Sequence, residues 1–200
     1  QAVGKVPLSL ENIDLFSFSA HKIYGLKGIG CLYTKKKIDL EIQIHGGKSQ
    51  SDYRGGTPAL PLIVSFSKAL RLALENIDQR IEHVQNLNNL LKESLREYKF
   101  VEINSTDKSI PHILNISIIG IKPETFMHAL EQHNIYISTQ TACSKINEPS
   151  KTILAIYKDE KRAVSSLRIS LSHKTTIDDI NNFLKFFDIE YNNLKFMNGE

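Results

Sequence analysis

The sequence predicts an α/β layered protein, and three observations carry that prediction. Short runs rich in Ile, Leu and Phe suit strands. Longer stretches with apolar residues at helical spacing stand between them. Glycine-rich segments punctuate the two. Ile13–Phe18 is an apolar run fit for a buried strand, and Ile29–Thr34 is a second. Gly25, Gly28 and Gly30 mark a tight turn between them, giving strand–turn–strand. Residues 45–58 are polar and glycine-rich and are expected to form a loop. Pro61 opens a long helical pattern through Phe66, Ala69, Leu72, Ala73, Ile77, Val84, Leu87 and Leu91. One long helix is expected there, bent near Asp78 and ending before Lys99.

The second half alternates more quickly. His112–Ile119 is expected as a strand, Pro123–Gln132 as a helix and Ile135–Ser138 as a short strand. Thr139–Lys151 is expected as a loop centred on Cys143, followed by one helix within 149–163 and a strand over Ser166–Ser172. Thr176 is placed to cap a last helix, with Asp178 and Asp179 in its first turn facing the positive end of the helix dipole. The tail from Asn192 is expected to fray.

Composition narrows the function classes. The 200 residues are 41% hydrophobic and 24% charged, as in ordinary globular proteins. A formal net charge of +3 is too mild to suggest direct nucleic-acid binding, and the one basic run, Lys35–Lys37, reads as a solvated turn. No stretch of about 18 apolar residues offers a membrane span. Cys31 and Cys143 form neither a CxxC pair nor a disulfide scaffold, so no metal site is indicated and a reducing cytoplasmic setting is expected. The chain starts Gln-Ala-Val-Gly-Lys, with neither Met nor the start of an element, and is expected to be a fragment.

Six residues are candidates for chemistry. Lys22 follows a strand and precedes the glycine turn. It is either an exposed loop lysine or a desolvated amine, nucleophilic towards aldehydes. Cys143 stands among small polar residues, either incidentally exposed or reactive as its thiolate. Arg168 offers a planar fork suited to a carboxylate, or is a strand-surface arginine. Thr57, after Gly55 and Gly56, is an anion contact or an ordinary turn residue. Ser19 and His21 are placed to donate hydrogen bonds to a phosphate beside Lys22. Cys31 reads as a small inert core residue, and His45 has no assignment.

These islands fall in one order. Ser-Phe-Ser-Ala-His-Lys-Ile-Tyr-Gly-Leu-Lys-Gly-Ile-Gly at 17–30 resembles the cofactor-lysine motif of cysteine desulfurases, in the class V aminotransferase group of pyridoxal-phosphate fold-type I enzymes. Gln-Ala-Val-Gly-Lys at 1–5, His-Gly-Gly at 45–47 and Arg-Gly-Gly-Thr-Pro at 54–58 are similar to segments flanking that motif. Ser-Thr-Gln-Thr-Ala-Cys-Ser at 138–144 resembles the family's catalytic cysteine loop in its long-loop subtype, although Lys145-Ile146-Asn147-Glu148 departs from the usual small-residue continuation. Leu-Arg-Ile-Ser-Leu-Ser at 167–172 is similar to its closing segment.

The resemblance implies the C-terminal half of such an enzyme. Residues 1–60 would be the end of the large cofactor domain, 61–98 a linking helix and 99–200 the small α/β domain. It implies pyridoxal 5'-phosphate bonded to Lys22, with Gln1 on its ring oxygen and Ser19 and His21 on its phosphate. Thr57 would reach the phosphate of a partner subunit, implying a homodimer. Arg168 would bind the carboxylate of L-cysteine. Cys143 would take the sulfur as a persulfide, for an acceptor protein in iron–sulfur cluster assembly or tRNA thiolation. The half of the family pattern absent from these residues is expected to leave the piece inactive alone. Rival expectations are a related lyase or aminotransferase of the same fold, a non-catalytic module that only docks a partner, and a plain α/β domain.

Overall fold

The computed structural model describes residues 3–36, 38–47, 53–139 and 149–197. The chain divides into two compact units, Gln1–Arg80 and Ile81–Glu200. The division falls inside the span expected as a linking helix.

The first unit starts from an antiparallel pair, β1 (Leu15–Ser19) and β2 (Gly30–Thr34), with Ser19 opposite Gly30 and Ser17 opposite Leu32. A one-turn 3₁₀ helix, Ala20–Ile23, replaces the simple turn expected here. It ends at Tyr24, whose φ of 65° reverses the chain so that the Gly25 amide reaches the Ala20 carbonyl at 2.9 Å. Gly25 leaves little room for a side chain: a Cβ there would lie 3.0 Å from the Ala20 Cβ and 3.1 Å from that of Ala69.

Helix α1 (Leu60–Leu74) begins with Pro61 in its first turn, where a missing N–H costs nothing. Its apolar face, Phe66, Ala69 and Ala73, is buried with Val3, Ala20 and Ile23, and the Phe18 ring meets Phe66 edge-on at 5.2 Å. β1 and β2 are otherwise largely open, and no third strand pairs with them among the described residues. The buried strand expected at 13–18 and the core position expected for Cys31 are therefore corrected. Cys31 is exposed although it stands opposite Phe18, whose ring reaches Phe66 of α1.

The single long helix expected after Pro61 is also corrected. Glu75 is extended and Asn76 is left-handed at φ 55°, so α1 ends and α2 (Ile77–Leu95) starts afresh. Asparagine tolerates that conformation better than most residues, and an unbroken apolar period conceals it.

The second unit is a three-stranded antiparallel sheet in the order β3 (Val101–Ile103), β4 (Ile113–Ile118), β5 (Ser166–Ser170). Strand alternation sorts its two faces. Leu114 pairs with Ile169 and Ile116 with Leu167, and all four are buried among Leu91 and Leu95 of α2, Phe126 and Leu130 of α3 (Pro123–Glu131), and Phe183 and Phe187 of α6 (Ile177–Met197). The other face carries Asn115 opposite Arg168 and Ser117 opposite Ser166.

Two short helices, α4 (Lys151–Tyr157) and α5 (Glu160–Val164), stand where one was expected. Lys158 at φ 53° ends the first, and the Asp159 carboxylate caps the second by accepting from the Arg162 amide at 3.1 Å. Arg162 then stitches α5 to the polar face of the sheet. Its Nη2 donates to the Ile103 carbonyl at 2.6 Å and its Nε donates to the Asn104 side chain, while its guanidinium lies 3.7 Å from the Tyr157 ring centre.

Thr176 caps α6 as expected: its Oγ1 accepts from the Asp179 amide at 3.1 Å. The Asp179 carboxylate accepts in return from the Thr176 amide and hydroxyl, both at 2.8 Å, and these bonds hold its pKa below the usual value. α6 runs on to Met197 rather than fraying at Asn192, whose side-chain amide donates to the Asp188 carbonyl at 2.9 Å, while Tyr191 is buried. No described helix is long and apolar enough to cross a membrane.

Candidate active site

In a one-turn 3₁₀ helix, residues i and i+3 share a side. Ala20 and Ile23 are the buried pair, so Lys22 and His21 point away from α1. Lys22 enters an open cavity of about 520 Å³, lined also by Ser17, Phe18, Ser19, Gly30, Cys31 and Leu32. Ser17 and Ser19 stand two residues apart on β1 and therefore share a face. One amine and two hydroxyls on a single cavity wall, with Gly30 leaving room opposite Ser19, form a donor set that fits an anion such as a phosphate. The desolvation expected for Lys22 is absent within the described residues, where the side chain is exposed, because the cavity is open on its outer side.

A second amine stands close by. Lys5 is partly buried, held there by Val3 in the core and by Gly4, which at φ 70° passes so close to Ala73 that a Cβ would meet its Cβ at 2.8 Å. Burial lowers the Lys5 pKa, and repulsion from Lys22 lowers it further.

The two Gly-Gly segments expected as one loop meet each other. Ile44 bridges Arg54, the Gly55 amide donates to the Ile44 carbonyl at 3.0 Å, and Gly46 crosses Gly55 in close contact. Thr57 follows this crossing and is exposed, as is His21.

Arg168 belongs to the second unit. Its backbone and that of Ser138 exchange two hydrogen bonds, of 2.6 and 3.1 Å. The short strand expected at Ile135–Ser138 is reduced to this one bridge. Arg168 Nη2 donates to Ser138 Oγ at 3.3 Å, while its buried Nε has no hydrogen-bond partner among the described residues. Gln1 and Cys143 lie outside the described residues.

Lys22 and Ser19 are thus brought to one cavity, with His21 beside them on the same turn; Thr57 stands on a separate loop of the first unit, and Arg168 in the second. Sequence reasoning missed Ser17 and Ser138. The alternation of β1, which places Ser17 with Ser19, was a usable signal. Nothing local pointed to Ser138, whose partner is thirty residues away.

The chain belongs to the aminotransferase class-V family, whose pattern matches residues 1–183. Within that family it is similar to cysteine desulfurases. It is 34% identical to cysteine desulfurase IscS of Vibrio cholerae serotype O1 over 98% of its own length and 50% of the relative's. It is 38% identical to cysteine desulfurase IscS of Methylococcus capsulatus over 90% of its length and 46% of the relative's. Among solved structures, a NifS-like protein superposes with a TM-score of 0.83 at 30% identity, covering 98% of this chain and 51% of the other. The NifS-like protein from Rickettsia africae gives 0.81 at 27% identity, covering 95% of this chain and 51% of the other. The fold is therefore that of part of a pyridoxal-phosphate fold-type I enzyme. The chain spans about half the length of the curated relatives it matches.

Proposed function

We propose that this chain is the part of a cysteine desulfurase that carries its cofactor lysine and its sulfur-accepting cysteine. One observation supports the reading most: Lys22 shares an open cavity with the hydroxyls of Ser19 and Ser17, in a chain that matches cysteine desulfurases over nearly all its length. Residues 1–60 would complete a large cofactor domain, 61–98 link it, and 99–200 form the small domain.

In this reading Lys22 would hold pyridoxal 5'-phosphate through its aldehyde, Ser19 and His21 would donate to its phosphate, Gln1 to its ring oxygen, and Thr57 to the phosphate bound by the partner subunit of a homodimer. When bound, the cofactor supplies an electron sink for the amino acid it holds. Arg168 pairs with the carboxylate of L-cysteine. The Cys143 thiolate attacks the substrate sulfur. A sulfur–sulfur bond forms, the substrate Cβ–S bond breaks, and Cβ takes up a proton. The products are L-alanine and a persulfide on Cys143, whose outer sulfur passes to an acceptor protein serving iron–sulfur cluster assembly or tRNA thiolation. The setting is cytoplasmic.

The test uses a chain of the relatives' full length carrying this sequence. Lys22→Ala removes the visible absorbance of the lysine-bound cofactor. Cys143→Ser keeps that absorbance and abolishes release of alanine and sulfide from cysteine. Sulfide release by Cys143→Ser would refute the assignment in favour of a related lyase.

A further inference from the structure

Arg168 is permanently cationic, yet no carboxylate stands within ion-pair distance of it among the described residues. A buried guanidinium nitrogen without a partner is costly, and Nε has none among the described residues. The strand neighbour opposite, Asn115, does not relieve it, since its side-chain oxygen accepts from Asn104 Nδ2 at 2.7 Å. The single acceptor the described residues offer the guanidinium is Ser138 Oγ, at 3.3 Å from Nη2. The backbone that carries that hydroxyl is held beside Arg168, because Ser138 and Arg168 also exchange both backbone hydrogen bonds, one of them only 2.6 Å long.

We propose that Ser138 is a positioning residue: its hydroxyl fixes the plane of the Arg168 guanidinium, leaving the remaining N–H groups aimed at a carboxylate that arrives with the substrate. The inference rests on the reading of Arg168 as the carboxylate-binding residue. An arginine side chain has several rotatable bonds, and its bidentate geometry is lost when the fork rotates. A fork already ordered by Ser138 loses less entropy on capturing a carboxylate than a free one does. Without the hydroxyl, the charge remains and its aim is lost.

The experiment is an absorbance titration of a full-length, cofactor-loaded chain carrying this sequence, with L-alanine as the carboxylate-bearing amine and ethylamine as the amine without one. Ser138→Ala is expected to weaken L-alanine binding about tenfold, the loss of one charge-assisted hydrogen bond. It leaves ethylamine binding unchanged, and Ser138→Thr restores L-alanine binding. Arg168→Ala weakens L-alanine at least as much. If Arg168→Ala weakens L-alanine but Ser138→Ala does not, or if Ser138→Ala weakens both amines alike, the positioning role is wrong and the carboxylate reading stands. If Arg168→Ala leaves L-alanine binding intact, the carboxylate reading itself fails and takes the role of Ser138 with it.

Discussion

Gly46 and Gly55 cross so tightly that a Cβ on Gly55 would lie 2.6 Å from the Gly46 Cα and 2.7 Å from its nitrogen. Both obstacles are backbone, which cannot swing aside as a side chain can. Gly55→Ala is therefore expected to cost about 1–3 kcal/mol by overpacking. Gly47→Ala, where a Cβ would meet nothing within 4 Å, is the matched control and should be near neutral. Thermal unfolding of the two variants checks this; equal melting temperatures would mean the crossing is not held as described.

Arg162 joins α5 to the sheet through the Ile103 carbonyl, the Asn104 side chain and the Tyr157 ring. Asn104 is only 4% exposed, so losing its partner leaves a buried amide oxygen without that donor. Arg162→Ala is expected to destabilise the chain by about 2–3 kcal/mol, through hydrogen bonds to a charged group and lost packing. Urea unfolding measures it, and a midpoint equal to the parent's would count against the network.

Tyr98 donates from its hydroxyl to Asp188 Oδ1 at 3.1 Å. Burial first, then this bond and the negative charge behind it, push its pKa up to about 12 from an ordinary 10.0. The folded chain thus holds the phenol proton more tightly than the unfolded chain does. This contribution to stability is fully present below pH 10.0 and is lost as pH rises from there through about 12. Tyr98→Phe should be slightly less stable at neutral pH and should lose less stability over that alkaline window. Urea midpoints at stepped pH decide it: parallel declines for parent and variant would rule out the coupling.

The 200-residue chain on its own is expected not to release alanine from cysteine, even with pyridoxal 5'-phosphate added. Lys22 is exposed and its cavity is open, so the described residues do not shield its amine from water. Alanine production by this chain alone would overturn that.

Much of this was legible in the sequence, where local rules decide. β1, α3 and the Thr176 cap follow from strand patterning, a proline start and an acidic first turn. What escaped depends on single backbone reversals or on distant partners. Asn76 and Lys158 each mark the end of a helix with one left-handed residue, Asn76 inside a continuous apolar period. β3 has only three residues, too few to show alternation. Cys31 was misjudged because an apolar strand is buried only where something covers it. The Lys22 motif was readable, but its companion Ser17 required knowing that β1 alternates through the cavity wall, and Ser138 required knowing that it lies against β5.

If Cys143 receives sulfur from an amino acid held through Lys22, that sulfur must be found on it. The most direct measurement is mass spectrometry of the peptide containing Cys143, taken from a full-length, cofactor-loaded chain after brief exposure to L-cysteine under non-reducing conditions. The account predicts that peptide heavier by one sulfur atom, with no gain when Lys22 is replaced by Ala. An unmodified Cys143 during active alanine production would contradict it.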